Sequence, residues 1–293
     1  MKFIITGSTG NISKPLASNL LNAGHEVTVI TSDDSKASAI EQTGARAAVG
    51  TVHDVDFLIE VFTGADAVYT MVPPDFSATD YRSYIAGIGN NYVSAIKKSG
   101  IKRVVNLSSV GAHLPDGTGP VKGIYDVEQA LNSLEDVSVL HVRPGFFYTN
   151  FYAQINLIKE ADIMGSNYGE HALMVLVHPV DIAEAITASL QEPFKGKSVR
   201  YVASDLRTTD EIAKIIGEAI GKPALPWVNF TDEQSLDGLL KAGLPPEIAG
   251  NYTEMGAAVR SGKMFEEFMK QKPQLSKIRL EQFAKEFAKS YNP

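Results

Sequence analysis

Lys2-Phe3-Ile4-Ile5-Thr6-Gly7-Ser8-Thr9-Gly10-Asn11-Ile12-Ser13 decides the architecture. A short apolar run ends in a loop carrying two glycines. A stretch of helical period follows, with apolar residues at Ile12, Leu16, Leu20 and Ala23 and a stop at Gly24. The first N–H groups of a helix have no partner within it, and with the helix dipole they attract phosphate. One glycine makes the tight turn, and a second lets the backbone approach a pyrophosphate. Gly7 and Gly10 meet those two demands, and Ser13 stands where a third Gly or Ala usually permits close helix–strand packing. The loop lies between a strand and a helix, the context that gives such a motif weight. Gly7, Ser8, Thr9, Gly10, Asn11 and Ile12 are therefore the candidate phosphate loop.

Working outward, short β-branched runs alternate with helical stretches. Strands are expected at Glu26–Thr31, Ala45–Val49, Ala65–Met71, Arg103–Leu107 and Val137–Val142. Helices are expected between them, at Ser35–Thr43, Val55–Phe62, Tyr81–Ser99 and Lys122–Glu135. This β-α-β-α rhythm predicts an α/β fold, a doubly wound parallel sheet with helices on both faces. The second half loses the rhythm. Phe146–Ala161 reads as helical or irregular, Pro179–Leu190 as a helix and Val199–Ala203 as a strand returning to the main sheet. Helices follow at Thr209–Ile220 and Glu233–Ala242, and the tail from Pro245 is mostly helical. Its last stretch carries Leu280, Phe283, Ala284, Phe287, Ala288 and Tyr291 on one face, the pattern of a docking helix.

Composition narrows the function. The 293 residues carry 27 Lys and Arg against 34 Asp and Glu, a net charge of −7. That balance argues against a general nucleic-acid or anionic-membrane binder, whose footprint is basic. The chain has no cysteine, which removes disulfides, thiol nucleophiles, Fe–S clusters and Cys-ligated zinc. The six histidines are scattered without a ligand pair, and no Gly-x-Ser-x-Gly elbow marks a hydrolase. The N-terminal apolar run is shorter than a signal-peptide core, so a cytoplasmic protein is expected, acting on a small molecule.

Several segments in order resemble one family. Thr6-Gly7-Ser8-Thr9-Gly10-Asn11-Ile12 is similar to the TGxTGxxG start of the NmrA-like family of atypical short-chain dehydrogenases. Gly64-Ala65-Asp66-Ala67-Val68, Asn106-Leu107-Ser108-Ser109, Val142-Arg143-Pro144-Gly145-Phe146-Phe147 and Val180-Asp181-Ile182-Ala183 resemble its later landmarks. The resemblance implies a Rossmann domain over residues 1–150, with 179–204 returning to it, and a smaller, mostly helical substrate domain over 151–293. It also implies NAD(P) as the ligand. Known members include NAD(P)H-dependent quinone and aldehyde reductases, and redox sensors that bind the dinucleotide without turning it over.

The end of the second strand chooses between NAD and NADP, because the ribose 2′-hydroxyl wants a carboxylate and the 2′-phosphate a cation. Ser32 stands where NADP-preferring relatives carry Arg, Asp33 suits the hydroxyl, and Lys36 can reach a phosphate. Asp33 also suits a helix cap. NADP is slightly favoured over NAD on family grounds. Val72, Pro73, Pro74 and Ser108 are further expected cofactor contacts.

Alcohol dehydrogenases of this superfamily use a Ser, a Tyr, and a Lys four residues after the Tyr that lowers the phenol pKa from near 10. Ser109 and Tyr125 fit the first two positions, and the third is Gln129. Lys122, three residues before Tyr125, is a substitute cation on the same helix face. Glu128 matches an acidic residue common among relatives. Phe76, Phe146, Phe147 and Tyr148 are candidate walls of a pocket for a planar substrate. Two functions stay open: a reductase of quinones or related activated carbonyls acting by direct hydride transfer, and a non-catalytic NAD(P)-sensing regulator.

Overall fold

The computed structural model describes residues 1–292 and divides the chain into two compact units. The first comprises residues 1–109, 123–143 and 182–200. The second comprises residues 110–122, 144–181 and 201 onward.

The first unit is built on β1 (Lys2–Ile5), α1 (Ser13–Asn22), β2 (Glu26–Thr31), α2 (Ala37–Glu41), β3 (Arg46–Val49), α3 (Val55–Phe62), β4 (Ala67–Thr70), α4 (Tyr81–Ser99), β5 (Arg103–Leu107), α5 (Val121–Asn132) and β6 (Ser138–Pro144). Two of its helices, α3 and α4, start where the chain supplies a cap. Asp54 Oδ1 accepts the N–H groups of Asp56 and Phe57 to open α3, and Asp80 accepts that of Ser83 to open α4. Gly100, at φ 80°, closes α4 in the left-handed conformation. The expected single helix over Ser35–Thr43 is instead a 3₁₀ turn, Asp34–Lys36, followed by the short α2. Asp33 accepts from Ser35 N and starts that turn early.

Between β6 and the last strand of the main sheet the chain forms β7 (Phe146–Phe147), α6 (Ile155–Ala161), β8 (Met164–Ser166), β9 (Leu173–Val177) and α7 (Pro179–Gln191), then β10 (Lys197–Val202). The main sheet has seven strands in the order β10-β6-β5-β4-β1-β2-β3. The pairings of β1 with β2 and β4, β2 with β3, and β5 with β4 and β6 are all parallel. Parallel strands covered on both faces should be continuously apolar. Phe3, Ile5, Ala67, Val68, Tyr69, Val104, Val105, Val139 and Val142 are fully buried. The strand order runs one way from β1 to β3 and the other way from β4 to β6. That reversal puts the switch point at the carboxyl ends of β1 and β4, where open α/β sheets bind ligands.

The second unit continues with β11 (Asp205–Thr208), α8 (Thr209–Ala219), β12 (Trp227–Asn229), α9 (Asp232–Lys241), α10 (Pro246–Arg260), α11 (Glu266–Gln271) and α12 (Leu280–Tyr291). It holds two small sheets, β11-β9-β7 and β12-β8, that the sequence pattern does not announce. The span 146–161, expected as helical or irregular, is the two-residue β7, a 3₁₀ turn and α6. Leu280, Phe283, Ala284 and Phe287 of α12 are buried, in keeping with a docking helix. No helix among the described residues is long and apolar enough to cross a membrane.

Candidate active site

Two left-handed residues shape the glycine loop, Gly7 at φ 92° and Ser8 at φ 52°. A Cβ on Gly7 would stand 2.6 Å from Ser13 Oγ and 3.1 Å from the Met71 side chain, so space and conformation both require glycine. Ser13, at the third motif position, is buried, and its hydroxyl donates to Thr6 O at 2.8 Å. Serine is thus small enough there and leaves no polar atom unpaired. Ser8 N donates to Ile30 O at 3.1 Å, and Ser8 Oγ to Thr31 Oγ1 at 2.9 Å, which ties the loop to β2. The helix beyond has no side-chain cap and no acidic residue in its first turn. Lys14 N already donates to Gly10 O at 3.0 Å and Pro15 carries no N–H, so the backbone groups left for an anion are the N–H groups of Asn11, Ile12 and Ser13. Thr9, Gly10 and Asn11 are exposed, whereas the Ile12 side chain is buried in the core and offers only backbone.

After β2, Ser32 is exposed. Asp33 Oδ1 accepts from Ser35 N at 3.0 Å and Ser35 Oγ at 2.5 Å, and Lys36 Nζ lies 3.4 Å from Asp33 Oδ2. The Ser35 hydrogen bonds hold the Asp33 carboxyl below its ordinary range. Asp33 is therefore engaged as a turn cap. A cavity of about 400 Å³ opens beside the loop, lined by Ser8, Thr9, Lys14, Lys36, Ile40 and Thr43 among others. Lys36 belongs to it, and so does Lys14, a residue that sequence reasoning passes over because a lysine in a first helical turn reads as solvated.

At the switch point the β4 end is pinned to β1. Thr6 N donates to Tyr69 O at 3.1 Å, and Met71 N to Thr6 Oγ1 at 2.9 Å. Two tyrosines of α4 hold the loop after β4: Tyr92 OH donates to Met71 O at 2.6 Å, and Tyr84 OH to Pro73 O at 2.8 Å. Val72 and Pro73 are half-buried and Pro74 is exposed. Phe76 is 45% exposed, with its ring 6.1 Å from that of Tyr81.

The catalytic candidates divide. Ser109 and Tyr125 are half-buried, and neither hydroxyl has a partner among the described residues. Gln129 is exposed. Lys122, offered by spacing as a cation for Tyr125, instead places Nζ 3.0 Å from Glu254 Oε2 of α10. The acidic partner that engages the ammonium lies on another helix. Ser108, expected to touch the cofactor, is buried, and its Oγ donates to Glu128 Oε1 at 2.5 Å. Glu128 also receives Arg143, Nε at 2.9 Å and the terminal nitrogen at 2.6 Å. This ion pair is buried, with Glu128 1% and Arg143 9% exposed. Arg143 sits in a segment that sequence reading used only as a family landmark.

In the second unit, Phe146 and Phe147 are half-buried, and the Phe146 ring lies 5.3 Å from Phe151 and 6.0 Å from Tyr168. Tyr148 is not a pocket wall. It is fully buried, its ring stacks on Phe283 at 5.3 Å, and its hydroxyl donates to Ile278 O at 3.2 Å. The i+1 and i+2 neighbours of Phe146 cannot all face one way, and the most buried of them became core.

The reversed strand order with a glycine loop at its switch point defines a Rossmann-type protein. Residues 1–282 match the NmrA-like family, and the chain belongs to it. An uncharacterized Schizosaccharomyces pombe protein is 25% identical over 260 residues, covering 81% of this chain and 85% of that one. Among solved structures, Citrobacter triphenylmethane reductase superposes with a TM-score of 0.79 at 19% identity, over 99% of this chain and 100% of that one. The NADPH-dependent quinone oxidoreductase QOR2 of Escherichia coli, complexed with NADPH, superposes at 0.80 and 18% identity, over 97% and 99%.

Proposed function

We propose that the protein is an NAD(P)H-dependent reductase that passes hydride directly to a quinone or a related activated carbonyl. The observation that carries this reading is the uncapped first turn of α1 beneath a loop whose Gly7 admits no side chain. That cradle fits a pyrophosphate, and Gly7, Ser8, Thr9, Gly10, Asn11 and the Ile12 backbone would hold it. Lys14 and Lys36, which share one cavity, suit the 2′-phosphate of NADPH. The likeness to an NADPH-dependent quinone oxidoreductase and to triphenylmethane reductase, itself described in complex with NADP(H), supports the reading.

When bound, the reduced nicotinamide supplies a hydride. The chain's own residues position it, in keeping with catalysis that depends on placement more than on a general acid. Hydride addition to a quinone leaves a delocalised oxyanion that water protonates, so Gln129 in the lysine position does not block the reaction. The second reading, a sensor that binds without turnover, draws on that same Gln129 and on the engagement of Lys122 by Glu254. Mixing the protein with NADPH and a panel of quinones and enals separates the two. Acceptor-dependent oxidation of NADPH is expected; tight binding with no oxidation by any acceptor overturns the reductase in favour of the sensor.

A further inference from the structure

The Glu128 carboxylate lies at the carboxyl ends of two strands, the side of an open sheet on which ligands bind. It reaches from α5 to both. Oε1 takes Ser108 Oγ, one residue past β5, and Arg143 Nε, near the end of β6; Oε2 takes the Arg143 terminal nitrogen. Ser108 N also donates to Val142 O at 2.7 Å, so this residue is fixed through backbone and side chain together. The next residue is Ser109. One turn before Glu128 on the same helix is Tyr125.

A buried ion pair is weak support for stability, because apolar residues of the same volume often serve as well. Here the pair does something apolar packing does not: it gives a directed hydrogen bond to one hydroxyl. Arg143 fixes the carboxylate by a two-point fork, and the carboxylate fixes Ser108. The helix carrying Tyr125 and the strand end carrying Ser109 are thereby locked to each other through a single rigid group.

We propose that Glu128 and Ser108 are positioning residues for the reduction proposed above, with Glu128 setting the Ser109 and Tyr125 segments by a buried anion. This rests on the reductase reading. It assigns to Glu128 the ordering of these two segments, without any contact of Glu128 with substrate.

Ser108→Ala tests it, because this small change leaves the Glu128–Arg143 pair intact and the fold secure. With 1,4-benzoquinone as acceptor, kcat is expected to fall about tenfold while KM for NADPH stays within about twofold, a loss on the order of one misplaced hydrogen bond. Ser108→Thr, which keeps the hydroxyl, is expected to restore kcat. Amide hydrogen exchange of the unliganded protein is read in parallel, and faster exchange confined to residues 107–110 and 121–128 is expected in Ser108→Ala. An unchanged kcat, or a kcat lost equally in Ser108→Thr, overturns the positioning role and leaves the reductase reading intact. A wild-type protein that oxidises no NADPH sinks the reductase reading instead. The locking of the two segments then stands or falls on hydrogen exchange alone, and native exchange in Ser108→Ala overturns it.

Discussion

Gln129 occupies the helix position four residues after Tyr125, where an alcohol dehydrogenase of this superfamily has its lysine. With Lys122 held by Glu254, no described cation stands in for it on this helix. A Tyr without an adjacent ammonium is a poor base for taking the proton from an alcohol, whereas quinone reduction needs no such base. Oxidation of simple alcohols with NADP is therefore expected to be undetectable in assays that register quinone reduction. Tyr125→Phe is expected to change quinone reduction by no more than about threefold, against the hundredfold or more that a working acid contributes. Steady-state rates of the variant check this, and a loss of that larger size with NADPH binding intact would make Tyr125 a proton donor. The sequence made Gln129 legible, since identity and spacing suffice. It did not make the fate of Lys122 legible, because Glu254 lies 132 residues away in the chain and only the tertiary structure brings it near.

Helix bounds were readable where local chemistry fixes them. Tyr81–Ser99 and Val55–Phe62 come out as the pattern predicts, because Asp80 and Asp54 cap them and Gly100 ends the first. The short strands β8, β9, β11 and β12 were not readable. Asp205-Leu206-Arg207-Thr208 is a strand only because it pairs with Leu173–Val177, and pairing at that separation leaves no local signature. The polar ties within the main sheet were equally hidden. Thr70 Oγ1 donates to Asn106 Oδ1 at 3.0 Å, and His141 bridges Asn106 Nδ2 at 3.2 Å and Asn132 Oδ1 at 3.0 Å. These bonds suit a neutral imidazole, with Nδ1 accepting from Asn106 and Nε2–H donating to Asn132. Burial pushes the His141 pKa down to about 4, from the 6.5 of a free imidazole. Between those values the unfolded chain takes up a proton that the folded chain refuses. This contribution to stability is therefore complete above pH 6.5, falls as pH drops toward 4 and is flat below, amounting to at most roughly 3 kcal/mol. Urea unfolding at several pH values checks it. His141→Gln is expected to lower stability at neutral pH and to lose stability less steeply over that window; an unchanged slope contradicts the assignment.

The molecule as a whole carries a charge of −7, so a dinucleotide arrives against a repulsive background and local cations decide its affinity. Lys14 and Lys36 are the cations that face the cavity beside the glycine loop, and the 2′-phosphate is the group that separates NADPH from NADH. A preference for NADPH is expected. It should narrow with added salt and shrink about fivefold in Lys36→Ala, as for a partly exposed ion pair. Dissociation constants for both nucleotides at low and high salt check this, and equal affinities throughout would remove the lysines from the site. Beneath that preference lies the central claim, that the loop over α1 holds the pyrophosphate. Gly10 is exposed, and a Cβ there would stand 3.1 Å from Gly7 O, on the surface the phosphates would occupy. The direct measurement is a calorimetric titration of NADPH into the wild-type protein and into Gly10→Val, with circular dichroism showing both folded. A saturable wild-type isotherm and an affinity at least about tenfold weaker in Gly10→Val are predicted; equal NADPH affinity in the two folded proteins would contradict the account.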